Sequence, residues 1–261
     1  MKSWLVAAVA AVAFWSGGAM AQQKSHLAKV LESGVLRVGT TGDFYPMTFR
    51  DPTTKEYKGH QIEAAEKLAA DSGVKVEFVA TDWKTLINGL VADKYDIVMT
   101  GTSMGMARAK TAAFTEVWGV SGFLPLVLKK NADRYKSWDD LNRPDVSVGA
   151  NLGTTQVTFI QQQLPKAKLR QVDSPARDWQ ELLAGRVDVT ITSILEGGGL
   201  AQSHPELALV LQDQVRSTLP MAFLVPQDDQ VWINYVNSWI VMSRRTGFFA
   251  ELNSKWAIPG Q

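Results

Sequence analysis

The sequence contains no cysteine, which excludes disulfides, thiolate metal sites, a cysteine nucleophile and a lipid-modified cysteine following a leader. Its three histidines, His26, His60 and His204, are far apart and show no metal-ligand spacing, so no metal is expected. Charge of one sign is also missing, with 27 Lys+Arg against 26 Asp+Glu. Nothing in that balance suits a nucleic-acid or anionic-membrane partner. No Ser-His-Asp set, Gly-rich phosphate loop or nucleotide fingerprint is present, and no cofactor is expected. Past the first two dozen residues no apolar run approaches the ~20 residues of a membrane span.

What is present begins with Lys2, an apolar run from Trp4 to Trp15, and Ala19-Met20-Ala21, a small-x-small cleavage site. This pattern predicts a secretory signal peptide over residues 1–21 and a periplasmic protein without a lipid anchor. Removing the leader takes away Lys2 and leaves a formal net charge of zero. The 240 residues that follow suffice for one large domain or for two lobes, and a hydrophobic content of 46% permits substantial cores.

Residue periodicity gives an α/β order. Ser25 opens a short helix whose Leu27, Val30 and Leu31 share a face, Gly34 ends it, and the strand Val35 to Thr40 follows. A helix from Ile62 to Ser72 and a strand from Val74 to Val79 come next. Asp82 caps a helix carrying Trp83, Leu86, Ile87, Leu90 and Val91, which leads into the strand Asp96 to Thr100. A second copy of this unit starts at Asp178-Trp179, with Leu182 and Leu183, and runs through Gly185-Arg186-Val187-Asp188 into the strand Val189 to Ser193. Two similar units suggest two similar lobes. Gly122 to Leu128, with Pro125, suits a strand crossing between lobes rather than a central one, and Leu219 to Pro226 looks like the return. The last helix, about Asp229 to Arg245, presents Val231, Tyr235, Ile240 and Val241, and a shorter one ends at Trp256. The expected division is 22–125 with 222–261 as the first lobe and 126–221 as the second.

Functional residues concentrate where strands end. The stretch Lys94 to Arg108 runs from a buried strand into a hydroxyl-rich turn and closes on one arginine. A guanidinium grips a carboxylate through two parallel charge-assisted hydrogen bonds, and Thr100, Ser103 and nearby backbone N–H groups complete such a shell. In open α/β sheets the ligand crevice lies beyond the carboxyl ends of the strands. Both copies place hydroxyls there: Thr100 and Ser103 in the first, Thr192 and Ser193 in the second.

Along essentially its whole mature length the chain resembles the periplasmic solute-binding proteins of amino-acid-type ABC importers. The match is carried by Ser33 to Thr40 with Asp43, Phe44, Tyr45 and Pro46, by Asp82-Trp83-x-x-Leu86-Ile87, by Asp96 to Arg108, by Asn151 to Gln156, and by Gly185 to Asp188. The resemblance implies a two-lobe α/β periplasmic binding protein fold of type II, each lobe a mixed sheet flanked by helices and the lobes joined by two crossing strands. Its implied partners are a small carboxylate-bearing solute and an ABC permease in the inner membrane. Arg108 matches the family arginine that grips the ligand carboxylate, with Ser103 and the Gly101 backbone beside it. Thr155, in the turn with Thr154, matches a second-lobe contact to the same group, and Phe44 matches an aromatic wall. Trp83 opens an amphipathic helix and suits core or cleft, with Trp179 at the equivalent place favouring the core. Asp43 in its Gly-Asp turn, and the hydroxyls generally, serve equally as local caps.

Two departures shape the expected function. Amino-acid binders usually carry Asp where this chain has Ser193, so the ligand ammonium lacks its usual partner, and an organic or aromatic acid becomes as suitable a ligand as an amino acid. The chain is also similar to periplasmic cyclohexadienyl dehydratases, around Leu31 to Val38, Thr41 to Asp43 and Ser203 to Leu207. Those enzymes expel water and carbon dioxide from prephenate or arogenate, using an acid in the turn equivalent to Asn151 to Phe159. That turn holds no acid here; Glu196, which the resemblance to those enzymes also covers, is the candidate catalytic group for a lyase. Solute binding for an importer is therefore the leading expectation and the lyase its alternative.

Overall fold

The computed structural model describes residues 24–258; the expected signal peptide lies outside them. Among the described residues no helix is long and apolar enough to cross a membrane. Two mixed sheets, each over its own core, form two lobes. The first sheet runs in the order Lys75–Ala80, Val35–Thr40, Ile97–Val98, Leu224–Pro226, Ala112–Phe114. Its first three strands are parallel and the last two join antiparallel. The second runs Lys168–Val172, Ser147–Asn151, Val189–Ser193, Gly119–Leu128, Leu207–Leu209, with Arg216–Met221 also paired to Gly119–Leu128. Leu36, Val38, Leu68, Met99, Trp232, Val236 and Trp239 belong to the first core; Phe123, Val127, Trp138, Val148, Phe159 and Ile191 belong to the second.

The repeated unit has a physical basis in one aspartate per lobe. Asp96 accepts the backbone N–H of Arg37 at 2.8 Å and pairs with the Arg37 guanidinium at 2.6 Å. Asp188 accepts the N–H of Ser147 at 2.9 Å and its hydroxyl at 2.6 Å. In each lobe a buried or half-buried carboxylate just before a strand fixes the neighbouring parallel strand, and so aligns the carboxyl ends that face the cleft.

The first crossing between lobes comes earlier than the sequence suggests. The chain leaves the first sheet at Phe114 and joins the second at Gly119, while the return lies between Met221 and Leu224. The two connections are tied together by Thr115 N–H to Phe223 O at 3.0 Å and Trp118 N–H to Met221 O at 2.9 Å. Gly119 to Pro125, expected in the first lobe, therefore pairs in the second sheet. The reason Pro125 is tolerated inside that sheet is local. Arg216–Met221 pairs with residues 119–123 and Leu207–Leu209 with residues 126–128, so the missing N–H falls in the gap between them, where the Pro125 carbonyl accepts from Val210 N–H at 3.1 Å.

Other differences are smaller. The first-copy helix starts at Leu86 because Asp82 closes a turn of its own, accepting from Lys84 N–H at 3.0 Å and Thr85 N–H at 2.8 Å. The Asp96 to Thr100 strand shortens to Ile97–Val98. In Gln230–Arg245 the buried face is Trp232, Val236, Trp239, Ile240 and Ser243, whereas Val231 and Val241 are 55% and 45% exposed. The indoles dictate that rotation, since Trp232 donates to the Asp96 carbonyl at 2.8 Å and Trp239 to Asp71 at 2.8 Å.

Candidate functional site

A cleft between the lobes, with an empty volume of about 540 Å³ including its mouth, lies beyond the carboxyl ends of Ile97–Val98, Ser147–Asn151 and Val189–Ser193. The structure brings Phe44, Trp83, Gly101, Ser103, Arg108, Thr154, Thr155, Ser193 and Glu196 together at its walls. Phe44 and Trp83 meet edge to face, centroids 6.1 Å apart, and form an aromatic side. Gly101 has φ +75°, and a Cβ there would lie 2.8 Å from both the Phe44 ring and Met47 Cγ, so only glycine lets the strand end and this wall coexist.

Arg108 reaches across the cleft. One guanidinium nitrogen donates to the Ser103 carbonyl at 3.1 Å and another to the Gly153 carbonyl of the opposite lobe at 3.0 Å. Among the described residues it forms no ion pair with a carboxylate, and burial brings its pKa down to about 10. Close to it, Thr154 N-caps the helix Thr155–Gln163 with its own hydroxyl turned back to the Asn151 carbonyl at 2.6 Å. The first-turn N–H groups of that helix, at Thr155 and Gln156, have no intrahelical acceptor, and both residues line the cleft.

The sequence reading missed the polar floor. Asn151, Gln156, Arg177 and Asp178 line the cleft beside Ser121, Phe123 and Ile191. Asn151, at the end of its strand, pins the 176–178 loop by donating to the Ala176 carbonyl at 2.9 Å and accepting from Arg177 Nε at 3.1 Å. Arg177 then spans the lobes. It pairs with Asp43 at 3.1 Å on one side and with Glu196 at 3.1 Å on the other, and donates to the Asp43 carbonyl. Burial works against its charge, but Glu196, Asp43 and Asp178 outweigh burial and hold the guanidinium above its ordinary value.

Asp178 is buried and accepts the Trp179 N–H at 2.9 Å, yet it forms no ion pair among the described residues. Burial raises its pKa to about 6, against the pull of Arg177 and with Asp43 adding repulsion. Glu196 is pushed to about 7, by burial first, against Arg177 and with the Asp178 and Asp43 charges raising it further.

Thr100 does not reach the cleft: its hydroxyl is buried and takes Thr41 N–H at 3.0 Å, with Thr41 Oγ1 at 2.7 Å and Thr48 Oγ1 at 3.2 Å. The Ser193 hydroxyl accepts the Glu196 N–H at 3.1 Å, which makes it a turn cap at the cleft wall. The substitution of Asp by Ser193 does not leave the cleft without a carboxylate, because Asp178 and Glu196 line it. Trp83 is a cleft residue that donates to Asp43 at 3.1 Å, while Trp179 packs at a tilt against His204, centroids 4.7 Å apart, and does not line the cleft.

The lobes are closed on one another. Gly153, at φ +84°, sits so near the opposite lobe that a Cβ would lie 2.4 Å from the Trp83 carbonyl oxygen, and Lys84 pairs with Asp173 across the mouth at 3.0 Å. Gly153→Ala is therefore expected to prop the cleft open, increasing the radius of gyration in X-ray scattering and weakening ligand binding by roughly tenfold or more. An unchanged radius together with unchanged affinity would contradict this.

The sequence profile of the bacterial extracellular solute-binding proteins, family 3, matches residues 36–259. A cyclohexadienyl dehydratase of Pseudomonas aeruginosa is 30% identical over 97% of this chain and 93% of its own. The L-cystine-binding protein TcyJ of Escherichia coli K12 is 28% identical over 96% of this chain and 92% of its own. The crystal structure of an ancestral amino acid-binding protein, a precursor of cyclohexadienyl dehydratase, superposes with a TM-score of 0.83 at 36% identity, covering 89% of this chain and 99% of that one.

Proposed function

The chain belongs to the bacterial extracellular solute-binding proteins of family 3, and we propose that its cleft closes over a small zwitterionic solute, an amino acid or close relative, for delivery to an ABC importer. One observation carries the reading. Two opposite charges that form no ion pair among the described residues, the Arg108 guanidinium, held only by two carbonyls, and the buried Asp178 carboxylate, line the same cleft. A buried charge left unpaired is unfavourable by several kcal/mol, and a ligand with a carboxylate and an ammonium satisfies both.

In the proposed complex Arg108 and the N–H groups at Thr155 and Gln156 hold the carboxylate, Ser103 and Gly101 border it, and Asp178 takes the ammonium. Phe44 and Trp83 cover the remainder of the ligand. Contacts from both lobes to one molecule stabilise the closed form, with the hinge at residues 115–118 and 222–223. The test is a thermal-shift and calorimetric survey of the standard L-amino acids alongside their deaminated 2-oxo acids. At least one amino acid is expected to bind and its 2-oxo acid to bind far more weakly. Equal binding of the two would remove Asp178 from the ligand shell, and no binding by any member would overturn the reading.

A second reading is favoured by Glu196, a cleft carboxylic acid whose pKa of about 7 would leave it half protonated near neutrality, as a general acid requires. Because it is already engaged by Arg177 at 3.1 Å, and the cleft side of the Thr154-Thr155-Gln156 turn carries no acid, prephenate and arogenate are expected to pass unchanged when aromatic product is followed by absorbance. Turnover that disappears in Glu196→Gln would replace the binding reading with the lyase.

A further inference from the structure

We propose that Arg177 sets the charge class of the ligand: its guanidinium fills, from within the chain, the acidic end of the cleft between Asp43 and Glu196, so the protein rejects ligands with a cationic side chain and accepts those with an uncharged one. The inference rests on the zwitterion reading above and extends it to the ligand side chain.

The cleft and its margin contain three carboxylates, Asp43, Asp178 and Glu196, and two guanidiniums. Asp43 and Glu196 face each other from opposite lobes, and both point at the one group between them. Arg177 satisfies them together, pairing with each at 3.1 Å; its side chain is 13% exposed, and those of its partners are 26% and 9% exposed. A forked, planar cation held by two carboxylates and by a carbonyl is how a protein would hold the end of a free arginine. The cation comes instead from the loop after Lys168–Val172, tied in place by Asn151 at 3.1 Å.

Two consequences follow for any ligand. A side-chain ammonium or guanidinium entering this end would meet Arg177 at close range in a poorly solvated space, and no second acid remains there to neutralise it. Asp178 forms no ion pair with Arg177 and is left for a single cation, the α-ammonium. Sequence context agrees: Ala80-Thr81-Asp82-Trp83 in the first copy and Ala176-Arg177-Asp178-Trp179 in the second differ in residue type only at the arginine.

The test uses calorimetry and thermal shift with L-arginine, L-lysine and ethylguanidinium on the native protein and on Arg177→Ala. The native protein is expected to bind neither L-arginine nor L-lysine, and binding of either with an affinity equal to that for the best uncharged amino acid overturns the proposal without any variant. In Arg177→Ala the two abandoned carboxylates and the vacated space should accept a small cation: millimolar ethylguanidinium, far below denaturing concentrations, should raise the variant's melting temperature and leave the native one unchanged. If the variant does not fold alone, its recovery by ethylguanidinium is the readout, and failure to recover overturns the proposal.

L-arginine should bind Arg177→Ala at least about tenfold more tightly than it binds the native protein, whereas Arg177→Lys, which keeps the charge, should still exclude it. Ethylguanidinium has no carboxylate and reads the acidic end alone. Its rescue of Arg177→Ala, with L-arginine binding to that variant unaffected by Arg108→Ala, would support the role of Arg177 while overturning the carboxylate grip, so the two readings fail separately.

Discussion

Arg108→Ala is expected to weaken binding of the most stabilising standard L-amino acid by roughly 100- to 10,000-fold while moving the melting temperature of the ligand-free protein little. Hydrogen bonds to a charged group contribute roughly 1.5–3 kcal/mol each, a guanidinium makes two to a carboxylate, and each factor of ten corresponds to about 1.4 kcal/mol. The stability side follows from what Arg108 does without a ligand. Its two bonds, to the Ser103 and Gly153 carbonyls, are offset by the burial that already lowers its pKa to about 10, so removing it takes away a partly desolvated charge as well as two bonds. Arg108→Lys should fall between, because an ammonium keeps the charge and loses the fork. Calorimetry on the three proteins decides the matter, and an alanine variant that binds within about threefold of the native protein would remove Arg108 from the carboxylate shell.

The parts of this site visible in the sequence are those that local patterns encode. Arg108, Ser103 and Gly101 follow a short buried strand, Thr154 and Thr155 precede a helix, and strand ends in an α/β sheet face the crevice, so their convergence follows from topology. Asp178 opens the second copy as Asp82 opens the first, and periodicity does not distinguish the two. The difference arises from tertiary placement: Asp82 is only half-buried and caps its own turn, whereas Asp178 is carried into the cleft by the loop that Asn151 pins. The replacement of Thr81 by Arg177 between the copies was the available signal. The crossing strand was misplaced for a similar reason. Pro125 argues against a central strand only if both edges of that strand are paired continuously, and here one edge is shared by two short strands with a gap at the proline.

Asp178→Asn is expected to weaken the same amino acid by roughly 100-fold or more and to flatten most of the pH dependence of its binding. Breaking a buried charge pair by deleting one partner is unfavourable by roughly 3–5 kcal/mol, and the bound ammonium would become the unpaired member. The pH dependence has a definite sign. In the free protein Asp178 has a pKa of about 6, raised by burial and held down in part by Arg177; pairing with an ammonium favours the ionised carboxylate, so the complex holds fewer protons than the free protein below that value. Affinity therefore rises with pH through about 6 and levels off above it, and binding at pH 5 releases a proton that binding at pH 8 does not. Glu196, at about 7, adds to the slope only indirectly, since its ionisation strengthens the negative potential around the ammonium while raising the pKa of Asp178. A 2-oxo acid of the same skeleton carries no ammonium, and its weaker binding should move in the opposite direction, improving as Asp178 and Glu196 become neutral. Calorimetry at pH 5 and pH 8 in two buffers of different ionisation enthalpy measures both the affinity and the proton release. An affinity independent of pH in the native protein, or an Asn variant that binds undiminished, would show that the ammonium is held elsewhere in the cleft.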